Sequence, residues 1–237
     1  MTDEEIRLKG IEFAKQNKKR IAQELTDPKV FLSEANPISI FMAGSPGAGK
    51  TEVSKSLVEI LEEGNKRRII RIDSDEIRDR IPGYTGKNSY LFQGAVSLIV
   101  EKMQDLALHR KQSFILDGTL AHYEKARHNI QRSIDHQRLI WIAYVYQKPD
   151  VAWRLTKDRE IIEGRNIPIS AFVRQFFDSR ATVKKLKDAF GEHVAVFLVK
   201  KDFEKITEEV ILKIPNSEKI DEYLPERYTE ETLEKIL

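Results

Sequence analysis

Residues 44–51 read Gly44-Ser45-Pro46-Gly47-Ala48-Gly49-Lys50-Thr51, a complete G-x-x-x-x-G-K-T loop. These residue types fit one chemistry, the holding of a nucleoside triphosphate. The glycines let the backbone wrap a phosphate with its N–H groups pointing inward. Lys50 can reach the β- and γ-phosphates, and the Thr51 hydroxyl can bind Mg²⁺. A helix following the loop adds the partial positive charge of its N-terminus.

Further polar residues close apolar runs. Ile69-Ile70-Arg71-Ile72 ends in Asp73-Ser74-Asp75, and Phe114-Ile115-Leu116 ends in Asp117-Gly118-Thr119. A kinase acting on a hydroxyl needs a carboxylate beside the γ-phosphate to accept the proton. Asp73 and Asp75 point in different directions, so one can face the site while the other caps the next helix. Both can also be plain turn residues. Arg78 can pair with Asp75, bind substrate, or be one more charged helix residue. Asp117 stands where a Walker-B acid would and can hold Mg²⁺ or its water shell. Its alternative is a strand-end turn at Asp-Gly. Thr119 can touch substrate through its hydroxyl or cap the helix after it.

Arg159 and Arg165 flank a Gly-Pro joint, Gly164-Arg165-Asn166-Ile167-Pro168, between two helical stretches. Such a joint suits a lid. An arginine on a lid can neutralise the charge that spreads over the γ-oxygens during transfer. The five histidines show no metal-ligand spacing, and neither H-E-x-x-H nor G-x-S-x-G occurs.

Strands and helices must hold these residues together. Ile38 to Ala43 reads as a buried strand, and Val53, Leu57, Ile60 and Leu61 recur at helical spacing after the loop. That helix is expected to stop at Gly64-Asn65. Further strands are expected at residues 69–72, 113–116, 139–146 and 194–199, with helices between them. Ser170 is the expected cap of a helix striped by Phe172, Phe176 and Leu186, and the charged tail from Phe203 reads as helical. Alternating strands and helices mean a parallel sheet covered on both faces. The expected architecture is α/β, a P-loop kinase-like parallel sheet of about five strands with helices on both faces and a helical lid. Ligands in such sheets sit at the carboxyl ends of the strands, where the loop, Asp73, Asp75, Asp117 and Thr119 all fall. Residues 1–33 read as an N-terminal helical extension, with a polar helix over 3–25, and residues 34–237 as the kinase-like domain.

Composition narrows the class. Among 237 residues there are 40 Lys and Arg against 38 Asp and Glu, so no broad nucleic-acid footprint is expected. The absence of cysteine excludes disulfides and thiolate zinc sites. No apolar stretch approaches the roughly 20 residues of a membrane span, and residues 1–30 lack the apolar core of a signal peptide. A cytoplasmic protein without membrane partners is expected.

With these residues assembled, the chain resembles the zeta toxin family, P-loop kinases of bacterial toxin–antitoxin systems. The match is ordered and runs from about Ile38 to Val199. Residues 44–51 look like the family's Walker A, and Asp73-Ser74-Asp75 like its strand-end pair of acids, which puts the catalytic base on Asp75. Arg78 falls where the family has a basic residue on the substrate side. Glu101 falls where the family places an acid that contacts the sugar nucleotide. Asp117-Gly118-Thr119 resembles the family's Glu-Gly-Thr, whose threonine contacts substrate. Arg159 and Arg165 resemble the two ATP-binding arginines of the lid.

The resemblance implies ATP- and Mg²⁺-dependent phosphorylation of UDP-N-acetylglucosamine at the sugar 3′-hydroxyl. It also implies a small helical antitoxin as partner, covering the ATP site. The helix over residues 3–25 is then a strut, a docking surface or a cover acting in cis. The chain departs from the family in carrying Asp117 for Glu, and Ala121 where members can carry a substrate-binding arginine. Alternatives are a kinase for another UDP-sugar or small hydroxyl compound, and a nucleotide-dependent regulatory module without turnover. The intact Lys50, Thr51, Asp75 and lid arginines speak against the last.

Overall fold

The structure is a computed structural model and describes residues 1–63, 68–164, 166–202, 207–224 and 228–237. Helix α1 (Asp3–Leu25) precedes β1 (Ile38–Ala43) and α2 (Lys50–Glu62). Strand β2 (Ile70–Asp73), the short α3 (Ser74–Arg78) and α4 (Gln93–His109) follow. Next come β3 (Phe114–Asp117), α5 (Tyr123–Asp135), β4 (Leu139–Tyr146), α6 (Pro149–Glu163) and α7 (Ile169–Phe190). The chain closes with β5 (Ala195–Asp202), β6 (Thr207–Ile214), α8 (Ser217–Tyr223) and α9 (Glu230–Ile236).

The strands form one six-stranded sheet in the order β2-β3-β1-β4-β5-β6. The first five run parallel, and β6 pairs antiparallel with β5, Lys200 opposite Glu209. The sheet thus has six strands where about five were expected. Residues 207–214 are an edge strand instead of part of a helical tail. The expected helix stop at Gly64-Asn65 lies outside the described residues.

Side-chain alternation along β1 divides the core. Ile38, Ile40 and Met42 join the face covered by α2, with Val53, Ile115 and Val145. Phe41 and Ala43 join the opposite face, with Ile99 and Met103 of α4, Ile130 of α5, and Phe172 and Leu186 of α7. Each fully buried Ile or Phe here contributes roughly 1.5–3 kcal/mol. At the amino ends of the strands, Arg138 donates to Ser39 Oγ at 2.6 Å and to the carbonyls of Ile38 and Gln112 at 2.9 and 2.6 Å. Burial pulls its guanidinium down to about 10, with the Glu34 charge working the other way. That foot of the sheet is sealed, which leaves the carboxyl ends for chemistry.

Helix α1 begins with a capping box, Thr2 and Glu5 each bonding the other's backbone N–H at 3.2 and 2.8 Å. It packs on α4. A Cβ on Gly10 would lie 3.2 Å from the Phe92 ring, so glycine there lets the two segments close up. Ala14, Ile21 and Ala22 are buried in the larger core. Beyond its end, the Thr26 carbonyl accepts from Arg110 at 2.8 Å and Gln112 at 3.1 Å. The placement is that of a strut. No residue of α1 lines the cleft described below. Among the described residues no helix is long and apolar enough to cross a membrane.

Candidate active site

At β1 the order in which strands are added to the sheet changes side, with β3 and β2 on one side and β4 and β5 on the other. A crevice opens there beyond the carboxyl ends. It is a cleft of about 850 Å³. One wall is the loop between β1 and α2, and the other comprises the ends of β2 and β3, helix α6 and the first half of α7.

The loop's shape is fixed by close packing. Gly47 has φ +69°, and a Cβ there would lie 2.0 Å from the Ala152 carbonyl of α6. Only glycine fits, and the loop therefore rests directly on the helix that carries Arg159. Lys50 donates to the Ser45 carbonyl at 2.6 Å, which holds its ammonium across the loop. The N–H of Gly44 donates to the Thr119 carbonyl at 3.2 Å and ties the loop to the end of β3. Pro46, Gly47, Ala48, Gly49, Lys50 and Thr51 line the cleft, and Gly44 and Ser45 do not.

The two acids after β2 have separate positions. Asp73 caps α3, its Oδ1 accepting the Asp75 N–H at 2.8 Å. Burial pushes the Asp73 carboxyl up, and the charge of Asp117 adds to the rise, while the Asp75 N–H and Arg71 oppose it. The Asp75 side chain stands in the cleft at 38% exposure. It is ion-paired through Oδ1 with Arg78, and its Oδ2 lies 4.0 Å from Nη2 of Arg159. Arg78 is buried and donates from Nη2 to Gln93 Oε1 at 2.9 Å, so it is no ordinary surface residue of a helix.

Asp117 is buried at the end of β3 and accepts from Ser54 of α2 at 2.8 Å. Thr119 lines the cleft, and the cap of α5 is His122, whose Nδ1 accepts the Lys125 N–H at 3.3 Å. Leu120 between them takes φ +54°, a left-handed turn that a leucine rarely adopts. Arg159 lines the cleft from α6. Arg165 lies outside the described residues.

One expected residue is not brought here. Glu101 is exposed on α4 and does not line the cleft. The inner faces of α4 and its neighbours take Val100 and Met103, and the turn of the helix carries Glu101 outward. Ser170 is likewise no cap, since α7 starts at Ile169 after Pro168 with no side-chain bond. Trp153 packs on Phe172 with ring centroids 5.1 Å apart, a helix-packing role.

Several cleft residues escaped the sequence reading. Lys201, at the end of β5, lies across the loop. A Cβ on Gly49 would sit 2.7 Å from its Cδ and 2.9 Å from its Nζ. The signal for it is the carboxyl-end rule applied to a strand that ends three residues later than expected. Gln93 at the start of α4 and Gln147 after β4 also line the cleft, and neither carries a sequence signal. Arg71, one polar residue within β2, contacts Asp73, Glu76, Ser54 and Asp117.

Cations from the loop (Lys50), α6 (Arg159), α7 (Arg174) and β5 (Lys201) line the cleft, and Asp73, Asp75 and Asp117 lie among them. A glycine cradle ringed by cations fits a triphosphate. For a metal, no cluster of three or more His, Cys, Asp or Glu side chains occurs among the described residues. Mg²⁺ that keeps waters and phosphate oxygens needs only one or two protein ligands. The Thr51 hydroxyl and the Asp117 carboxylate fit that donor set.

Comparison with known proteins bears on the fold and the family. The structure is similar to one from the PezAT chromosomal toxin–antitoxin system of Streptococcus pneumoniae, with 16% identity, a TM-score of 0.69, and coverage of 95% of this chain and 93% of that one. It is also similar to the complex of AvrRxo1-ORF1 and AvrRxo1-ORF2 with ATP, at 13% identity and a TM-score of 0.61 over 92% of this chain and 71% of that one. A third likeness is to a chain of the Pnkp1/Rnl/Hen1 RNA repair complex, at 16% identity and a TM-score of 0.51 over 78% and 51%. At these identities the likeness is one of fold, the P-loop kinase-like fold. No curated protein sequence matches the chain. The zeta toxin family matches residues 21–211, most of the molecule. The chain belongs to the zeta toxin family.

Proposed function

We propose that this protein is an ATP-dependent small-molecule kinase that phosphorylates the sugar 3′-hydroxyl of UDP-N-acetylglucosamine. The observation that carries the reading is the Asp75 carboxylate, half-open to the cleft that the phosphate loop and Arg159 also line. In this reading the acceptor hydroxyl binds beside Asp75 and gives it a proton as the oxygen attacks the γ-phosphorus, the bond from that phosphorus to the β,γ-bridging oxygen breaks, and ADP leaves. Arg78 and Gln93 fix the orientation of that carboxylate. Lys50 and Arg159 neutralise the charge that develops on the transferring group, as does Arg165 by family resemblance. Mg²⁺ held by Thr51 and Asp117 would supply further positive charge between the phosphates. Thr119 and Arg78 face the acceptor.

Ala121 favours a second reading, a kinase for another UDP-sugar or small hydroxyl compound. It lines the cleft with a methyl group where family members can carry an arginine, and its carbonyl accepts from Thr182 at 3.3 Å. A panel of UDP-sugars incubated with γ-labelled ATP separates the two. Label on UDP-N-acetylglucosamine supports the first reading, and label only on an unrelated acceptor contradicts it. Family membership and the likeness to a structure from a chromosomal toxin–antitoxin system support a toxin restrained by a helical antitoxin in the cytoplasm. Growth arrest on expression, relieved by co-expressing a candidate antitoxin, is the test.

A further inference from the structure

We infer that Arg71 is a positioning residue that locks the catalytic-base helix to the phosphate-loop helix. The inference rests on the kinase reading for its effect on turnover, and on geometry alone for the lock itself. Arg71 sits in the middle of β2, with its side chain 11% exposed. Each guanidinium nitrogen is committed. Nη2 donates to Asp73 Oδ2 at 2.5 Å and lies 3.5 Å from Asp117 Oδ2. Nη1 donates to Glu76 Oε1 at 2.6 Å. Nε donates to Ser54 Oγ at 3.1 Å.

These partners belong to different parts of the site. Asp73 and Glu76 hold α3, the five-residue helix that presents Asp75. Ser54 belongs to α2, and its hydroxyl bonds both Asp117 Oδ2 at 2.8 Å and the Thr51 carbonyl at 3.0 Å. Asp117 closes β3. A helix of five residues has too little hydrogen bonding of its own to be stable or well oriented. Its direction is set by its cap and its anchors. Asp73 Oδ1 caps it through the Asp75 N–H, while Oδ2 of the same carboxylate is held by Arg71. The guanidinium therefore fixes the cap, the cap fixes the backbone of Asp75, and the same guanidinium fixes α2 through Ser54. A planar fork with several fixed donors can do this, and an ammonium cannot bridge all the partners at once.

The arrangement also explains how Asp73 and Asp117 can share one buried corner. The charge of Asp117 adds to the rise that burial imposes on the Asp73 carboxyl, and Arg71, in contact with both, opposes it. Asp117 is left with Oδ2 engaged by Ser54 and Arg71.

The test compares Arg71→Met, Arg71→Lys and Ser54→Ala with the wild-type chain. Four quantities are read: nucleotide affinity by titration, thermal stability by melting, amide hydrogen exchange over residues 74–78, and phosphoryl transfer to the acceptor labelled by the wild type. A misplacement of the base by about 1 Å is worth about 100-fold in kcat. The expected result for Arg71→Met is a loss of that order in kcat, unchanged nucleotide affinity and faster exchange in α3. Arg71→Lys and Ser54→Ala, each keeping some of the links, should fall between. If exchange in α3 and kcat stay at wild-type values, the inference is overturned. It is equally overturned if nucleotide affinity, thermal stability and kcat fall together in all three variants, which marks a general structural role. If the wild type labels no acceptor, the kinase reading fails on its own. The exchange measurement then decides the lock: faster exchange in Arg71→Met, partly restored in Arg71→Lys, supports it, and unchanged exchange overturns it.

Discussion

Nη2 of Arg159 stands 4.0 Å from Oδ2 of Asp75, so an arginine on α6 approaches the carboxylate on α3. The pair lies along one wall of the cleft, where the proposed reaction would bring the γ-phosphate and the acceptor together. Arg159 is half-exposed and lines the cleft, so a bound ligand can reach its guanidinium. An arginine acting on the transferring group is worth roughly 10³-fold or more in kcat. Arg159→Ala should lose turnover by that order in a steady-state assay while the protein keeps its melting temperature.

Lys201 offers a separate test of the nucleotide side. Its stem crosses Gly49, and its ammonium lies beside the loop that cradles the phosphates. A charge-assisted contact to phosphate is worth about tenfold or somewhat more in affinity. Lys201→Ala should weaken ATP and ADP binding by that factor in a calorimetric titration, with kcat at saturating ATP unchanged. Equal affinities for both proteins would remove Lys201 from the site.

Helix α1 is a strut, so damage to it should register as lost stability. Ile21 is 2% exposed in the larger core. Ile21→Ala removes buried methyl groups at a cost of about 3 kcal/mol. Urea denaturation should show that loss as a lower midpoint, with ATP turnover per folded molecule unchanged. Higher turnover would instead mark α1 as a cover over the site.

Asp221 on α8 should shape the acid limb of stability. Partial burial raises its carboxyl, but the Lys184 ammonium and the Arg180 guanidinium, both bonded to it from α7, outweigh this and hold it below the ordinary carboxylate range. A carboxyl lowered in the folded chain stabilises it fully above the ordinary aspartate value, roughly pH 4. The contribution is lost as pH falls through the lowered value. Exposure limits it to about 1 kcal/mol or less. The stability difference between wild type and Asp221→Asn should therefore be constant at neutral pH and shrink toward zero in acid.

The legibility of this chain followed its burial. Residues 139–146 form an eight-residue apolar run, and β4 occupies those same residues because a central parallel strand is buried on both faces. Thr2 and Glu5 bound α1 by local chemistry alone. Strand β6 was not legible. An edge strand has one free side and tolerates charges, so Thr207-Glu208-Glu209 carries no apolar alternation to read. In the cleft, the residues placed by glycine spacing or by strand ends were legible as candidates. Glu101 was placed by family resemblance, counting back from Asp117, and a count does not fix which way a helix is turned. Arg71 lay hidden for another reason. A single polar residue inside a strand reads as a surface position until the partners from α2, α3 and β3 are seen around it.

The central claim is that Asp75 serves as the base of a phosphoryl transfer. The most direct measurement is label transfer from γ-labelled ATP to UDP-N-acetylglucosamine by the wild type and by Asp75→Asn, with nucleotide affinity measured on the same samples. The expected result is transfer by the wild type and a loss of roughly 10²- to 10⁴-fold in the variant, with unchanged affinity for ATP. Transfer by Asp75→Asn at the wild-type rate would contradict the account.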